Sequence, residues 1–140
     1  MDRPTISNEQ AQSFLDELGS NASQVELIGA GAWSQCFGFR QSDKELVIRF
    51  GHHLDDFQKD TLAFNYHHPD LPIPNVIDMG EAFGGYYAIS TRVFGVPLES
   101  LSSNEWPQIV PSLVAAFEAL RLADISGTSG FGSWNSDGDA

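Results

Sequence analysis

The first three strand-like segments of the chain are joined by connections too short to contain a crossover helix. They lie at residues 24–28, 35–40 and 45–50, and the residues between them are glycine-rich or polar. Parallel neighbours need a crossover of roughly a dozen residues or more, whereas antiparallel neighbours can be joined by a short turn. The sequence therefore predicts an antiparallel meander at the start of a sheet.

A second antiparallel pair is predicted further along the chain. Two apolar segments, residues 76–83 and 86–93, flank Gly84 and Gly85. Consecutive glycines between two such segments are typical of a tight hairpin, because glycine adopts the left-handed backbone that these turns require. This hairpin brings the predicted sheet to five antiparallel strands.

Three segments have the apolar spacing of helices. They lie at residues 7–18, 54–67 and 106–124, and Ser7 with Gln10 has the spacing of a capping box at the start of the first. The order helix, three strands, helix, two strands, helix predicts an α+β fold. One helix is inserted in the five-stranded antiparallel sheet, and the other two lie N-terminal and C-terminal to it.

The charge of the chain limits its partners. There are 19 acidic and 7 basic residues, which give a net charge of −12. Such a surface repels nucleic acid and anionic membranes, so neither is an expected partner. A cationic ligand would be tolerated, although an acidic protein without one has the same balance. Residues 1–9 lack an apolar signal core and Cys36 is the single cysteine, which predicts a cytoplasmic protein.

The pattern Gly29-x-Gly31-x-x-Ser34 lies between the first two predicted strands. Glycines at such a place let backbone amides approach a phosphate closely, although an ordinary bulge or turn also explains them. The pattern is not the dinucleotide-binding fingerprint, because a strand rather than a helix follows it. It is not a P-loop, because no Gly-Lys-Ser/Thr is present.

Arg49 and Asp60 form a second candidate pair. Arg49 ends an apolar strand and Asp60 lies in the helix that follows. A cation on a strand, held by an acid on the next helix, is the arrangement with which kinases hold nucleotide phosphates. Surface charges are the alternative for each residue alone. Their order after the glycine pattern favours the phosphate-binding interpretation.

Three stretches, at residues 31–49, 71–81 and 88–98, resemble the aminoglycoside phosphotransferase family. The resemblance extends over nearly the whole chain and implies a protein-kinase-like N-terminal lobe that binds ATP, or GTP, with magnesium. It implies the following nucleotide-binding residues: Gly29, Gly31 and Ser34 in the loop over the nucleotide, Arg49 at the phosphate-binding lysine position, Asp60 at its glutamate partner, and Thr91 and Val93 at the adenine hinge. Arginine for lysine and aspartate for glutamate are departures from the kinase pattern.

The resemblance also divides the chain. Residues 1–93 are expected to be the nucleotide-binding lobe, residues 94–125 the hinge and first helix toward an absent C-terminal lobe, and residues 126–140 a flexible tail. The family's catalytic loop, His-Gly-Asp-x-x-x-x-Asn, does not occur in the chain. No catalytic or metal-binding residue is therefore assigned, and the 140 residues alone are expected to be inactive.

The complete protein is expected to transfer the γ-phosphoryl group of ATP to a hydroxyl of an aminoglycoside-like substrate. Two alternatives stay open, a non-catalytic nucleotide-binding or interaction fragment and the lobe of a related small-molecule kinase of choline or homoserine type. The apolar face of the last helix is expected to favour self-association.

Overall fold

The computed structural model describes residues 4–130, which form a five-stranded sheet, three α-helices and two 3₁₀ turns. The elements are α1 (Asn8–Glu17), β1 (Ser23–Ala30), β2 (Ser34–Gln41), β3 (Lys44–Gly51), α2 (Leu54–Ala63), β4 (Val76–Ala82), β5 (Gly85–Thr91) and α3 (Trp106–Arg121), with 3₁₀ turns at Phe64–Tyr66 and Leu98–Ser100. The strand order is β1-β2-β3-β5-β4, and every neighbouring pair is antiparallel. The predicted α+β fold is confirmed, with α2 inserted between β3 and β4.

The start of α1 forms as the sequence predicts. The Ser7 hydroxyl accepts a hydrogen bond from the Gln10 backbone N–H at 3.2 Å, and the Gln10 side chain accepts one from the Ser7 N–H at 2.9 Å. This reciprocal capping box satisfies amides that have no partner in the first helical turn. Gly19 follows the helix with a φ of +70°, the left-handed conformation that ends many helices.

One face of the sheet packs against α1 and forms the core. Alternate strand residues point to this face, so Phe37, Ile48 and Phe50 are almost fully buried together with Leu15 of α1. Gln35 is a buried polar residue of the same layer, 6% exposed. Its side-chain oxygen accepts a hydrogen bond of 2.7 Å from the Ile6 N–H, which attaches the segment before α1 to the sheet.

Tyr87 lies at the edge of this core beside β4. Its hydroxyl donates a hydrogen bond of 2.8 Å to Asp78. Burial and the neighbouring Asp78 carboxylate raise the pKa of the Tyr87 phenol to about 12, because both disfavour its charged form. A Cβ at Gly80 would lie 2.9 Å from the Tyr87 ring, so the glycine provides the space in which the ring packs.

The hairpin between β4 and β5 is confirmed, with its turn one residue earlier than Gly84 and Gly85. Its central residues are Phe83 and Gly84, with φ values of +51° and +74°, the signs that a type I′ turn requires. The Phe83 ring lies 5.3 Å from that of Phe50, which accounts for an aromatic residue in this conformation. Gly85 belongs to β5, where a Cβ would lie 2.5 Å from the Gly51 carbonyl oxygen.

The predicted helix at residues 54–67 is shorter than expected. It ends at Ala63 and tightens into the 3₁₀ turn, after which His67 is extended with a ψ of 134°. Pro69 limits how far a helix could continue, since a proline disfavours the helical conformation in the residue before it, here His68, but it does not account for the end of α2 at Ala63.

The last helix is also shorter than predicted, because α3 ends at Arg121 rather than near Asp124. The Ala123 N–H bonds to the Leu120 carbonyl, only three residues back, at 3.2 Å. Such an i to i+3 bond tightens the end of a helix into a 3₁₀ turn. No residue of α3 is buried, and Phe117 is 68% exposed.

Residues 126–130 follow α3 without regular structure. The rest of the predicted tail, residues 131–140, lies outside the described residues. Among residues 4–130, no helix has both the length and the apolar character needed to cross a bilayer.

Candidate functional site

The face of the sheet opposite α1 borders a cavity. Because side chains alternate along a strand, the burial of Phe37, Ile48 and Ile89 on the α1 side places their neighbours on the other face. Three strands contribute to this second face in register, with Cys36 opposite Arg49 and Arg49 opposite Ala88. The cavity has a volume of about 290 Å³ and is lined by Cys36, Val47, Arg49, Asp60, Ile73, Pro74, Val76, Ala88, Ser90, Thr91 and Val93.

Arg49 and Asp60 form the predicted ion pair at the wall of this cavity. The Arg49 guanidinium donates to the Asp60 carboxylate across the gap between β3 and α2. It also lies over the Phe57 ring, 4.7 Å from the ring centre, in cation–π geometry. The two side chains are 31% and 43% exposed. The pair therefore presents an oriented, accessible cation to the cavity.

Thr91 and Val93 also line the cavity, where β5 leads into the predicted hinge. The Thr91 N–H donates to the Asn75 carbonyl at 3.0 Å, and its hydroxyl accepts from the Asn75 N–H at 2.9 Å. These two bonds attach the end of β5 to the segment before β4. The predicted hinge residues thus face the same cavity as the ion pair.

The glycine-containing turn precedes Cys36 along β2 and does not line the cavity. β1 is longer than predicted and includes Gly29, which pairs with Cys36 after an irregularity in the β1–β2 register. The turn is closed by a 2.9 Å hydrogen bond from the Gly31 N–H to the Ser34 carbonyl. Trp33 at its tip is 64% exposed. Gly29, Gly31 and Ser34 do not line the cavity, whereas Cys36, two residues after Ser34 on β2, does.

Within residues 4–130, neither a neighbouring atom nor the backbone conformation requires glycine at position 29 or 31. A Cβ at Gly29 or Gly31 would have no atom within 4 Å, and neither residue has a left-handed φ. A glycine with open space above it leaves the backbone accessible to a ligand.

The sequence interpretation missed the small residues that line the cavity between its two walls. Cys36, Val47, Ala88 and Ser90 line it, and the alternation of strand residues around Arg49 could have identified them. Burial raises the pKa of the Cys36 thiol, while Arg49 lowers it and Asp60 raises it. The thiol is therefore held neutral and acts as a small wall residue.

The described residues offer no metal site of their own. Across residues 4–130, no group of three or more His, Cys, Asp or Glu side chains is arranged to hold a metal ion. The two histidines nearest the end of α2 accept backbone hydrogen bonds instead, His67 from the Ile73 N–H at 3.1 Å and His68 from the Asp70 N–H at 3.2 Å.

The strand order and the inserted α2 give the chain the fold of a protein-kinase-like N-terminal lobe. Comparison with known proteins agrees. The chain is 32% identical over 140 residues to hygromycin-B 4-O-kinase from Escherichia coli, a match that includes 99% of the chain and 41% of the relative. No protein-family model matches the chain.

Solved structures give the same result. The crystal structure of aminoglycoside phosphotransferase APH(4)-Ia is similar with a TM-score of 0.86 and 32% identity, over 95% of this chain and 46% of that one. A thermostable mutant of the same enzyme, in ternary complex with AMP-PNP and hygromycin B, is similar with a TM-score of 0.80 and 32% identity, over 91% and 44% of the two chains. The predicted resemblance to the N-terminal lobe of aminoglycoside phosphotransferases is confirmed, and the chain spans less than half the length of these relatives.

Proposed function

We propose that the cavity between the Arg49–Asp60 pair and the hinge binds ATP, with GTP as the alternative. The adenine would lie against Val47 and Ala88, where the wall is apolar. Because the Thr91 N–H already bonds to Asn75, Thr91 would meet the base through its carbonyl oxygen and Val93 through its N–H. Similar structures that contain AMP-PNP or ADP support this proposal.

The phosphates would extend from the hinge toward Arg49 and the glycine-containing turn. The guanidinium is a planar fork that can hold Asp60 on one side and phosphate oxygens on the other. Gly29, Gly31 and Ser34 would cover the phosphates from the end of the sheet, with backbone amides as donors. Magnesium would bind together with the nucleotide, since no cluster of three or more His, Cys, Asp or Glu side chains in residues 4–130 is arranged to hold it alone.

In the complete protein, this lobe would hold ATP while its γ-phosphoryl group passes to a hydroxyl of an aminoglycoside of hygromycin type. Similarity to a hygromycin-B kinase supports this reaction. A kinase of choline or homoserine type remains the alternative, because the lobe holds the nucleotide and leaves the acceptor unspecified. The ATP requirement and the single cysteine favour the cytoplasm.

The 140 residues alone are proposed to be catalytically inactive. Phosphoryl transfer needs an aspartate to orient the acceptor hydroxyl, supplied in kinases by the catalytic loop, and the sequence contains no His-Gly-Asp-x-x-x-x-Asn. Asp60 has similar spacing to Asn65 but is engaged with Arg49 in α2. Turnover of ATP with hygromycin B above a buffer blank would contradict this proposal.

The observation that carries the nucleotide proposal is the convergence of the Arg49–Asp60 pair and the hinge on one cavity. Calorimetric titration of the purified chain with Mg-ATP tests it. We expect saturable but weak binding, because the contacts of a second lobe are missing. A submicromolar affinity would contradict the expected weakness of binding. The absence of any saturable heat would contradict nucleotide binding itself, and a non-catalytic interaction fragment would then be the better interpretation.

Self-association through α3 is a further part of the proposal. Val114, Phe117 and Leu120 are each more than half exposed, and such a patch favours association. Light scattering at increasing concentration should show a growing mean mass that Phe117→Asp reduces. A monomer at high concentration would refute the proposed association.

A further inference from the structure

Gly38 lies in the middle of β2, where glycine is unfavourable unless the space is needed. Its partners in the sheet are Glu26 on β1 and Val47 on β3. A Cβ at Gly38 would lie 2.6 Å from Nη1 of Arg92 and 3.2 Å from Cγ2 of Ile28. Because Gly38 has no left-handed φ, the space above it is what requires the glycine. The occupant of that space is the Arg92 guanidinium.

Arg92 reaches this position from the hinge, between Thr91 and Val93. Its backbone N–H donates to the Glu45 carbonyl at 3.2 Å. Its side chain then crosses β3 and β2 to Glu26 on β1, whose Oε1 lies 3.4 Å from Nη2 and 3.5 Å from Nη1. The Arg92 side chain is only 19% exposed. A single side chain therefore joins two segments that are 66 residues apart in sequence.

Besides Glu26, the Glu45 carboxylate and the Phe94 ring hold the guanidinium in place. The Glu45 carboxylate lies 3.8 Å from Nη1. On the outer side, the Phe94 ring lies 4.6 Å from the guanidinium carbon, in cation–π geometry. Arg92 is thus oriented by two acids, an aromatic ring and a glycine.

The contact between Arg92 and Glu26 affects the position of β1. Within residues 4–130, this strand is at the edge of the sheet, pairs only with β2, and has two irregularities in its register. It leads directly into the glycine-containing turn. A connection from the hinge to β1 therefore fixes the distance between the two parts of the lobe that would meet the base and the phosphates.

We propose that Arg92 is a positioning residue that clamps β1 and the glycine-containing turn to the hinge. Gly38 leaves the space that the Arg92 side chain occupies as it crosses β2. The effect on nucleotide binding rests on the proposed function of the cavity. The clamp itself does not, because it concerns only the position of β1. Glu26 is 62% exposed, so the ion pair contributes little to global stability and acts on local position.

The test compares Arg92→Met with Arg40→Met. Arg40 is a matched control because it also pairs with Glu45, at 3.8 Å, but lies on β2 away from the hinge. In the nucleotide-free chain, amide hydrogen exchange at residues 26–34 should be about threefold faster or more in Arg92→Met and unchanged in Arg40→Met. Gly38→Ala, which displaces the guanidinium without changing charge, should have the same effect as Arg92→Met.

Mg-ATP titration of the same variants gives the second readout. Arg92→Met and Gly38→Ala should weaken binding about three- to tenfold, the range expected of a positioning residue, with Arg40→Met at the wild-type value. Unchanged exchange at residues 26–34 in both variants would overturn the clamp, whatever the nucleotide result. The wild-type chain could fail to bind Mg-ATP while exchange is still faster in Arg92→Met and Gly38→Ala. That result would establish the clamp and refute the nucleotide proposal.

Discussion

Replacing Arg49 by methionine removes the positive charge that faces the cavity and keeps a long side chain over Phe57. In the native chain the Arg49 side chain is 31% exposed and its guanidinium is oriented by Asp60. Charge-assisted hydrogen bonds contribute about 1.5–3 kcal/mol. Partial exposure favours the lower part of this range, which corresponds to about a tenfold to thirtyfold loss of affinity for Mg-ATP. Calorimetric or fluorescence titration measures that loss.

The control for this prediction is Arg40→Met, which makes the same change of charge on the neighbouring strand. The Arg40 side chain is 46% exposed and pairs only weakly with Glu45. Its replacement should leave the affinity at the wild-type value. Chemical denaturation should show that Arg49→Met changes the free energy of unfolding by less than about 1 kcal/mol, because exposed ion pairs contribute little. Equal affinities of the wild type and Arg49→Met would refute the assignment of Arg49 to the phosphates.

Three further predictions concern the stability of the fold. Gln35→Leu leaves the buried Ile6 N–H without its acceptor and should cost about 1–3 kcal/mol in urea denaturation; an unchanged midpoint would contradict this. The Tyr87 phenol, with its pKa raised to about 12, stabilises the fold fully below the ordinary tyrosine pKa and loses that contribution as the pH rises through the folded value; ultraviolet titration should therefore show one late tyrosine that Tyr87→Phe removes. Gly85→Ala should lower the melting temperature, since a Cβ there would lie 2.5 Å from a backbone carbonyl, whereas Gly95→Ala, with no atom within 4 Å, should not.

The sequence predicted the sheet because its connections are short and its turn residues are distinctive. The Ser7–Gln10 capping box, the Phe83–Gly84 turn region and the inserted helix are all local features, and local chemistry determines them. Helix ends were less predictable. The apolar spacing at residues 54–67 continues past Ala63, where α2 ends and a 3₁₀ turn begins, so the spacing alone did not give the end of the helix.

The candidate site was predictable in part for a similar reason. Arg49 and Asp60 are recognisable in sequence because their charges follow a known order along strand and helix. The role of Arg92 is not recognisable, since its partner Glu26 is far away in sequence and the space over Gly38 exists only in the folded sheet. Side chains that act across several strands require the register, which the sequence does not specify for β1 and its irregular pairing.

Chemical-shift mapping of the isotope-labelled chain with Mg-ATP is the sharpest test of nucleotide binding in this cavity, because it locates the ligand as well as detecting it. If the cavity binds the nucleotide, saturable shifts are expected at residues 29–34, at Val47 and Arg49, and along the hinge at residues 90–93, with little change in α3. Shifts confined to α3, or none at millimolar nucleotide, would contradict the assignment of this cavity to a nucleotide.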